Sequence, residues 1–171
     1  AGNHESRKDR DALQALFPND FRGADFYSFT HKESLFLALC DAGGSDHIGH
    51  LNSEFIRGPE QGAWLKRQLA EHAKTVQRVF LFGHIPPHPE DKFGDMHLGV
   101  NDQKFLRELV LAYRPTAMFF GHLHRKVEFP ISSTPVFGIP SSHWNFDQTP
   151  PGYLEVRVYA DRLATQWVLL R

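Results

Sequence analysis

Three short motifs hold most of the residues that could do chemistry: Gly2-Asn3-His4-Glu5, Gly83-His84 and Gly121-His122-Leu123-His124. Imidazole is the commonest side-chain ligand for transition metals, and it exchanges protons near neutral pH. An asparagine can turn its amide carbonyl toward a metal, and His4 can give or take a proton. A glycine ahead of each histidine lets the backbone turn sharply off a strand end. His122 and His124 are two residues apart. On an extended segment they point the same way, so they could serve one metal or two adjacent ones.

The motifs differ in specificity. With 13 Gly and 11 His in 171 residues, a lone Gly-His is expected by chance, and Gly49-His50 is a third instance. Gly-His-x-His is rarer, and Gly-Asn-His-Glu rarer still. Cys40 is the single cysteine, which rules out an internal disulfide and a thiolate cluster. Any metal site must therefore use His, Asn, Asp or Glu. One thiol suits a reducing compartment, so a cytoplasmic location is the expectation. A formal net charge of −1 gives no sign of a nucleic-acid partner. No apolar stretch reaches the ~18 residues of a membrane helix.

The elements that must position these residues follow from periodicity. A helix is expected over 6–17 and strands over 25–30 and 34–40, joined by a turn around His31-Lys32-Glu33. Residues 41–58 read as a loop. A helix over 59–73 has Pro59 at its first position and Trp64, Leu65 and Leu69 on its buried side. Apolar runs at 78–82 and 116–120 each end in Gly-His, and a helix over 102–113 lies between them. That alternation predicts parallel strands buried on both faces, with ligands beyond their carboxyl ends. Strands are expected over 126–129, 135–139, 152–159 and 164–169, the last two forming a hairpin. The fold class is α/β with a β-rich end, in one domain over 1–171.

The three motifs resemble those of the calcineurin-like metallophosphoesterases, in family order and with similar spacing. The family's Gly-Asn-His-Asp/Glu, Gly-His and Gly-His-x-His motifs match Gly2–Glu5, Gly83-His84 and Gly121–His124. The resemblance implies a sandwich of mixed β-sheets flanked by helices, and a metal-dependent phosphoesterase using two transition metals, Mn, Fe or Zn. It implies that Asn3, His84 and His122 hold one metal, that His124 is a ligand of the other, and that His4 is the catalytic histidine. A hydroxide bridging the two metals would attack phosphorus, and His4 would protonate the leaving oxygen. The substrate class is a small phosphate ester, with diesters ahead of monoesters because the cyclic-nucleotide and glycerophosphodiester branch is nearest.

The family also uses an Asp-x-His and a Gly-Asp-x-x-Asp before these motifs, and neither precedes Asn3. The expectation is a C-terminal portion lacking about 60 residues, two βα units. It is then impaired or inactive alone, with the metal that His124 serves left that one ligand. The alternatives are a non-catalytic remnant with a partial metal site, or strands supplied by a second chain. Asp95-Met96-His97 follows no strand and is taken as coincidence; Asp41 follows the apolar run 35–40, where a carboxylate could meet a site, and is taken as a turn residue after a strand. His88, after Pro86-Pro87, either lines the substrate mouth or is a solvated loop histidine. His143, in Ser141-Ser142-His143-Trp144-Asn145-Phe146, either helps close a pocket wall or lies in an edge turn. His47, His50, His31 and His72 are expected at the surface, and Trp64 in the core.

Overall fold

In the computed structural model of the chain, residues 2–42, 48–72, 74–87 and 96–170 are described. The elements run α1 (Arg7–Leu16), α2 (Pro18–Phe21), β1 (Tyr27–His31), β2 (Ser34–Ala38), α3 (Gln61–His72), β3 (Arg78–Phe82), α4 (Val100–Tyr113), β4 (Ala117–Phe120), β5 (Val127–Ile131), β6 (Thr134–Gly138), β7 (Gly152–Val158) and β8 (Leu163–Leu169). Six strands form one sheet in the order β1-β2-β3-β4-β6-β5. β2, β3, β4 and β6 are parallel neighbours, while β1 and β5 close the edges antiparallel. β7 and β8 pair antiparallel as a separate hairpin.

Alternation along the strands sorts side chains to two faces. Leu35, Leu37, Val79, Leu81, Met118, Phe120 and Val136 face one side, where Leu65 and Leu69 of α3 and Leu106, Leu109 and Val110 of α4 cover them. Phe80, Ala117, Phe119 and Phe137 face the other, with Leu154, Val156, Leu163 and Trp167 of the hairpin packed on them. The predicted burial on both faces is found, but helices cover only one. The result is a helix layer, a mixed sheet and a second small sheet, the sandwich of mixed sheets and helices that the motifs implied.

Three boundaries move for identifiable reasons. Ser6 is not the first turn of α1 but its cap: its side chain accepts from Asp9 N, and the Asp9 carboxylate accepts from Ser6 N. Pro59 precedes α3 by two positions, because Glu60 takes the capping place and accepts from Ala63 N at 3.0 Å. β1 begins at Tyr27 rather than residue 25. Asp25 instead buries its carboxylate and accepts from Arg57 N, Arg57 Nη2 and Gln14 Nε2 at 2.9, 2.9 and 3.0 Å. No helix among the described residues is long and apolar enough to cross a membrane.

Candidate metal centre

β3 and β4 lie side by side in parallel, with Phe82 opposite Phe119, so Gly83-His84 and Gly121–His124 leave the sheet at the same end. The ladder continues past the strands: Gly83 N donates to Phe119 O and Gly121 N to His84 O, both at 3.0 Å. His84 Nε2 lies 2.8 Å from Asn3 Oδ1 and 3.2 Å from His122 Nδ1. His84 Nε2 thus has a potential donor atom from the chain start and one from the neighbouring strand end within 3.2 Å. Two ligand atoms each about 2.1 Å from one ion, at right angles, lie about 3.0 Å apart. The separations and the nitrogen-oxygen donor set fit a transition metal. Among the described residues, no three His, Cys, Asp or Glu side chains form such a group by themselves. The cluster depends on the Asn3 amide.

The glycines do a different job from the one expected. Neither Gly83 nor Gly121 has positive φ; the left-handed residues are His122 (φ 65°) and His124 (φ 44°). Histidine is among the few non-glycine residues enriched there, and such conformations cluster at functional sites. Gly83 is needed for space: a Cβ there would lie 2.6 Å from the Phe120 ring. A Cβ on Gly2 would lie 2.8 Å from His84 Cε1, so Gly2 lets the Asn3 segment settle on the imidazole.

Because the segment after β4 is not extended, His122 and His124 diverge. Leu123 is buried between them. His122 joins His84, with ring centroids 5.0 Å apart. His124 turns to the loop after β6, where its Nδ1 lies 3.1 Å from Trp144 O. If that nitrogen carries the proton, Nε2 keeps its lone pair, the state a ligand needs. His4 is exposed beside Asn3. His143 is exposed in the loop after β6, its N–H donating to Ser141 Oγ at 3.1 Å. His88, His47 and Asp95 lie outside the described residues. His31 is exposed, His72 is half-buried, and Trp64 packs on Phe26 at 4.7 Å at the core margin. His50 sits 3.9 Å from Asp102.

Asp41, read from the sequence as a turn residue after a strand, does more than that reading gave it. It is fully buried, 0% accessible. Its carboxylate accepts from His84 N at 2.9 Å and Ile85 N at 3.1 Å, holding the Gly83-His84 segment from below. Burial pushes its pKa up to about 6, against the pull of those two N–H groups. Its position directly after the apolar run of β2 was the available signal. His84 moves the other way, down to about 4, first through burial and then through the neighbouring His122 imidazole. It is therefore neutral at physiological pH, the form that binds metals.

The family model described as calcineurin-like phosphoesterase matches residues 1–126. A solved dimetal phosphatase from Danio rerio superposes with a TM-score of 0.68 at 16% identity, covering 97% of this chain and 67% of that one. GAP50, the anchor in the inner membrane complex of Plasmodium, superposes with a TM-score of 0.62 at 14% identity, covering 84% of this chain and 49% of that one. The chain thus spans about two thirds of the first and half of the second. No curated protein matches the sequence. The family match takes in all three histidine motifs and most of the sheet: the chain belongs to the calcineurin-like phosphoesterase family.

Proposed function

We propose that this chain carries metal-binding residues of the active centre of a metal-dependent phosphoesterase. The observation that carries the reading is the placing of Asn3 Oδ1 and His122 Nδ1 at 2.8 and 3.2 Å from His84 Nε2. In this reading those three residues hold one metal and His124 is a ligand of a second. A bound metal pair, Mn, Fe or Zn, supplies charge stabilisation for the phosphoryl oxygens and activates water. The protein's own residues bind, orient and move protons. Asp41 holds the backbone of His84, and the burial of His84 keeps it unprotonated. His4, exposed beside Asn3, gives a proton to the leaving oxygen. Phosphodiesters are the proposed substrates; faster turnover of monoesters would overturn that choice.

Metal content is the direct test. After chelator stripping and reloading with Mn²⁺, His84→Ala and His122→Ala are expected to lose the metal that the unsubstituted protein takes up. Normal metal content in both variants overturns the ligand assignment. A protein that takes up no metal under any loading condition favours a non-catalytic scaffold with this fold. His4→Ala is expected to keep its metals and lose activity about 10²-fold or more, the usual worth of a proton-transfer group. A variant as fast as the unsubstituted enzyme removes His4 from the mechanism.

A further inference from the structure

We propose that Trp144 and Phe146 form an aromatic subsite beside the candidate metal centre, and that it stacks on the base of a nucleotide substrate. The proposal rests on the phosphoesterase reading for the phosphate end of that substrate.

The loop that carries the pair follows β6. β6 runs parallel to β4, with Gly138 opposite Phe120, so this loop and Gly121–His124 leave the sheet at the same end. The loop is internally fixed. Asn145 is buried, and its Oδ1 accepts from Ser141 N at 2.7 Å while its Nδ2 donates to Thr149 O at 3.1 Å. Ser141 Oγ accepts from His143 N and Trp144 N at 3.1 and 3.4 Å. With Asn145 anchored inward, its two neighbours stand outward: Trp144 is 47% exposed and Phe146 53%.

Both are locked to His124. Trp144 offers its carbonyl to His124 Nδ1 at 3.1 Å, and Phe146 N donates to His124 O at 3.2 Å. The three rings pack with centroids 4.7 Å (His124–Trp144), 5.5 Å (His124–Phe146) and 4.7 Å (Trp144–Phe146) apart, the last pair edge to face. Two large aromatic side chains held open to water on a rigid loop, touching a candidate metal ligand, form a preorganised platform. Ordering the loop on binding then costs little. A platform of this kind takes a flat π-face and is indifferent to its edge groups. A ligand with a phosphate ester at one end and a flat ring at the other is a nucleotide.

The test compares AMP with ribose 5-phosphate on the Mn²⁺-loaded protein, by equilibrium dialysis and tryptophan fluorescence. AMP is expected to bind about tenfold tighter or more, the worth of one base stack, and to quench fluorescence where ribose 5-phosphate does not. Trp144→Leu, which keeps the backbone carbonyl used by His124, is expected to bring AMP down to the level of ribose 5-phosphate. Trp144→Phe is expected to retain most of the preference. Equal binding of the two ligands, or a preference that survives in Trp144→Leu, overturns the subsite. Base-dependent binding of AMP that needs Trp144 but no metal keeps the subsite and removes the phosphoesterase reading. Binding of neither ligand overturns the subsite.

Discussion

Asp41 and His84 touch through a backbone N–H, yet their protonation pulls stability in opposite directions. His84 has a folded pKa of about 4, below its usual 6.5, so the unfolded chain takes up that proton first. Its contribution is present above pH 6.5 and is lost as pH falls through 4. Asp41 has a folded pKa of about 6, above its usual 3.8, so here the folded chain holds the proton longer. Its contribution is present below pH 3.8 and is lost as pH rises through 6. Each shift corresponds to about 3 kcal/mol over its whole range. In the metal-free protein the two slopes oppose each other between pH 4 and 6. Urea midpoints are therefore expected to rise with pH more steeply in Asp41→Asn than in the unsubstituted chain, and less steeply in His84→Asn. Parallel pH profiles for all three would show that neither group is perturbed as described. None of this was legible in the sequence. The residue types were visible at 41 and 84, but burial and the N–H···carboxylate contact come from pairing β2 with β3 across 43 positions of chain.

At the scale of elements, the periodic segments were readable and the polar joints were not. β3, β4 and the strands of the hairpin carry enough apolar pattern to place them within a residue or two. Asp25 was assigned to a strand because it borders an aromatic run. In the fold it is a joint: besides Arg57 and Gln14, it accepts from Arg10 Nη1 at 3.2 Å, tying α1 to the segment before α3. α1 has no fully buried residue. Its attachment leans on this network, and α1 directly follows Gly2–Glu5, the segment that brings Asn3 to His84. Asp25→Ala removes the carboxylate shared by Arg10 and Arg57, though Arg57 keeps Asp11 and Arg10 keeps Phe55 O; losing charge-assisted hydrogen bonds of this kind costs about 1.5–3 kcal/mol. The expected result is a lower urea midpoint together with rapid tryptic cleavage at Arg7 and Arg10 under native conditions. Slow cleavage there in Asp25→Ala would mean that apolar contacts hold α1 instead.

Over the whole molecule, the two faces of the main sheet are covered unequally. The helical side is closed by α3 and α4. On the hairpin side, the aromatic ladder extends past the cover: Phe29 stacks on Phe36 at 4.8 Å and Phe82 on Phe119 at 5.0 Å, yet Phe29 is 46% exposed and Phe82 40%. A cleft of about 670 Å³ opens along this side, walled by Phe21, Tyr27, Phe29 and Phe82 and reaching Gly2 and His84. The apolar runs at 78–82 and 116–120 read as strands buried on both faces, which holds for Phe80 and Phe119, clustered with Leu154 and Val156. It does not hold for Phe82, 40% exposed, because an apolar run marks a strand that can be buried and not whether another layer covers each side chain. Contiguous exposed aromatic surface drives association in water. This chain is therefore expected to self-associate at micromolar concentration in sedimentation velocity and to bind a hydrophobic dye while folded. Phe29→Thr with Phe82→Thr should shift it toward the monomer and reduce dye binding. Because both side chains are part-exposed, the loss of stability should stay near or below the roughly 1.5–3 kcal/mol that fully burying one such side chain contributes. A chain that sediments as a monomer throughout, with dye binding unchanged by the double substitution, would show that this face is not the source of any association.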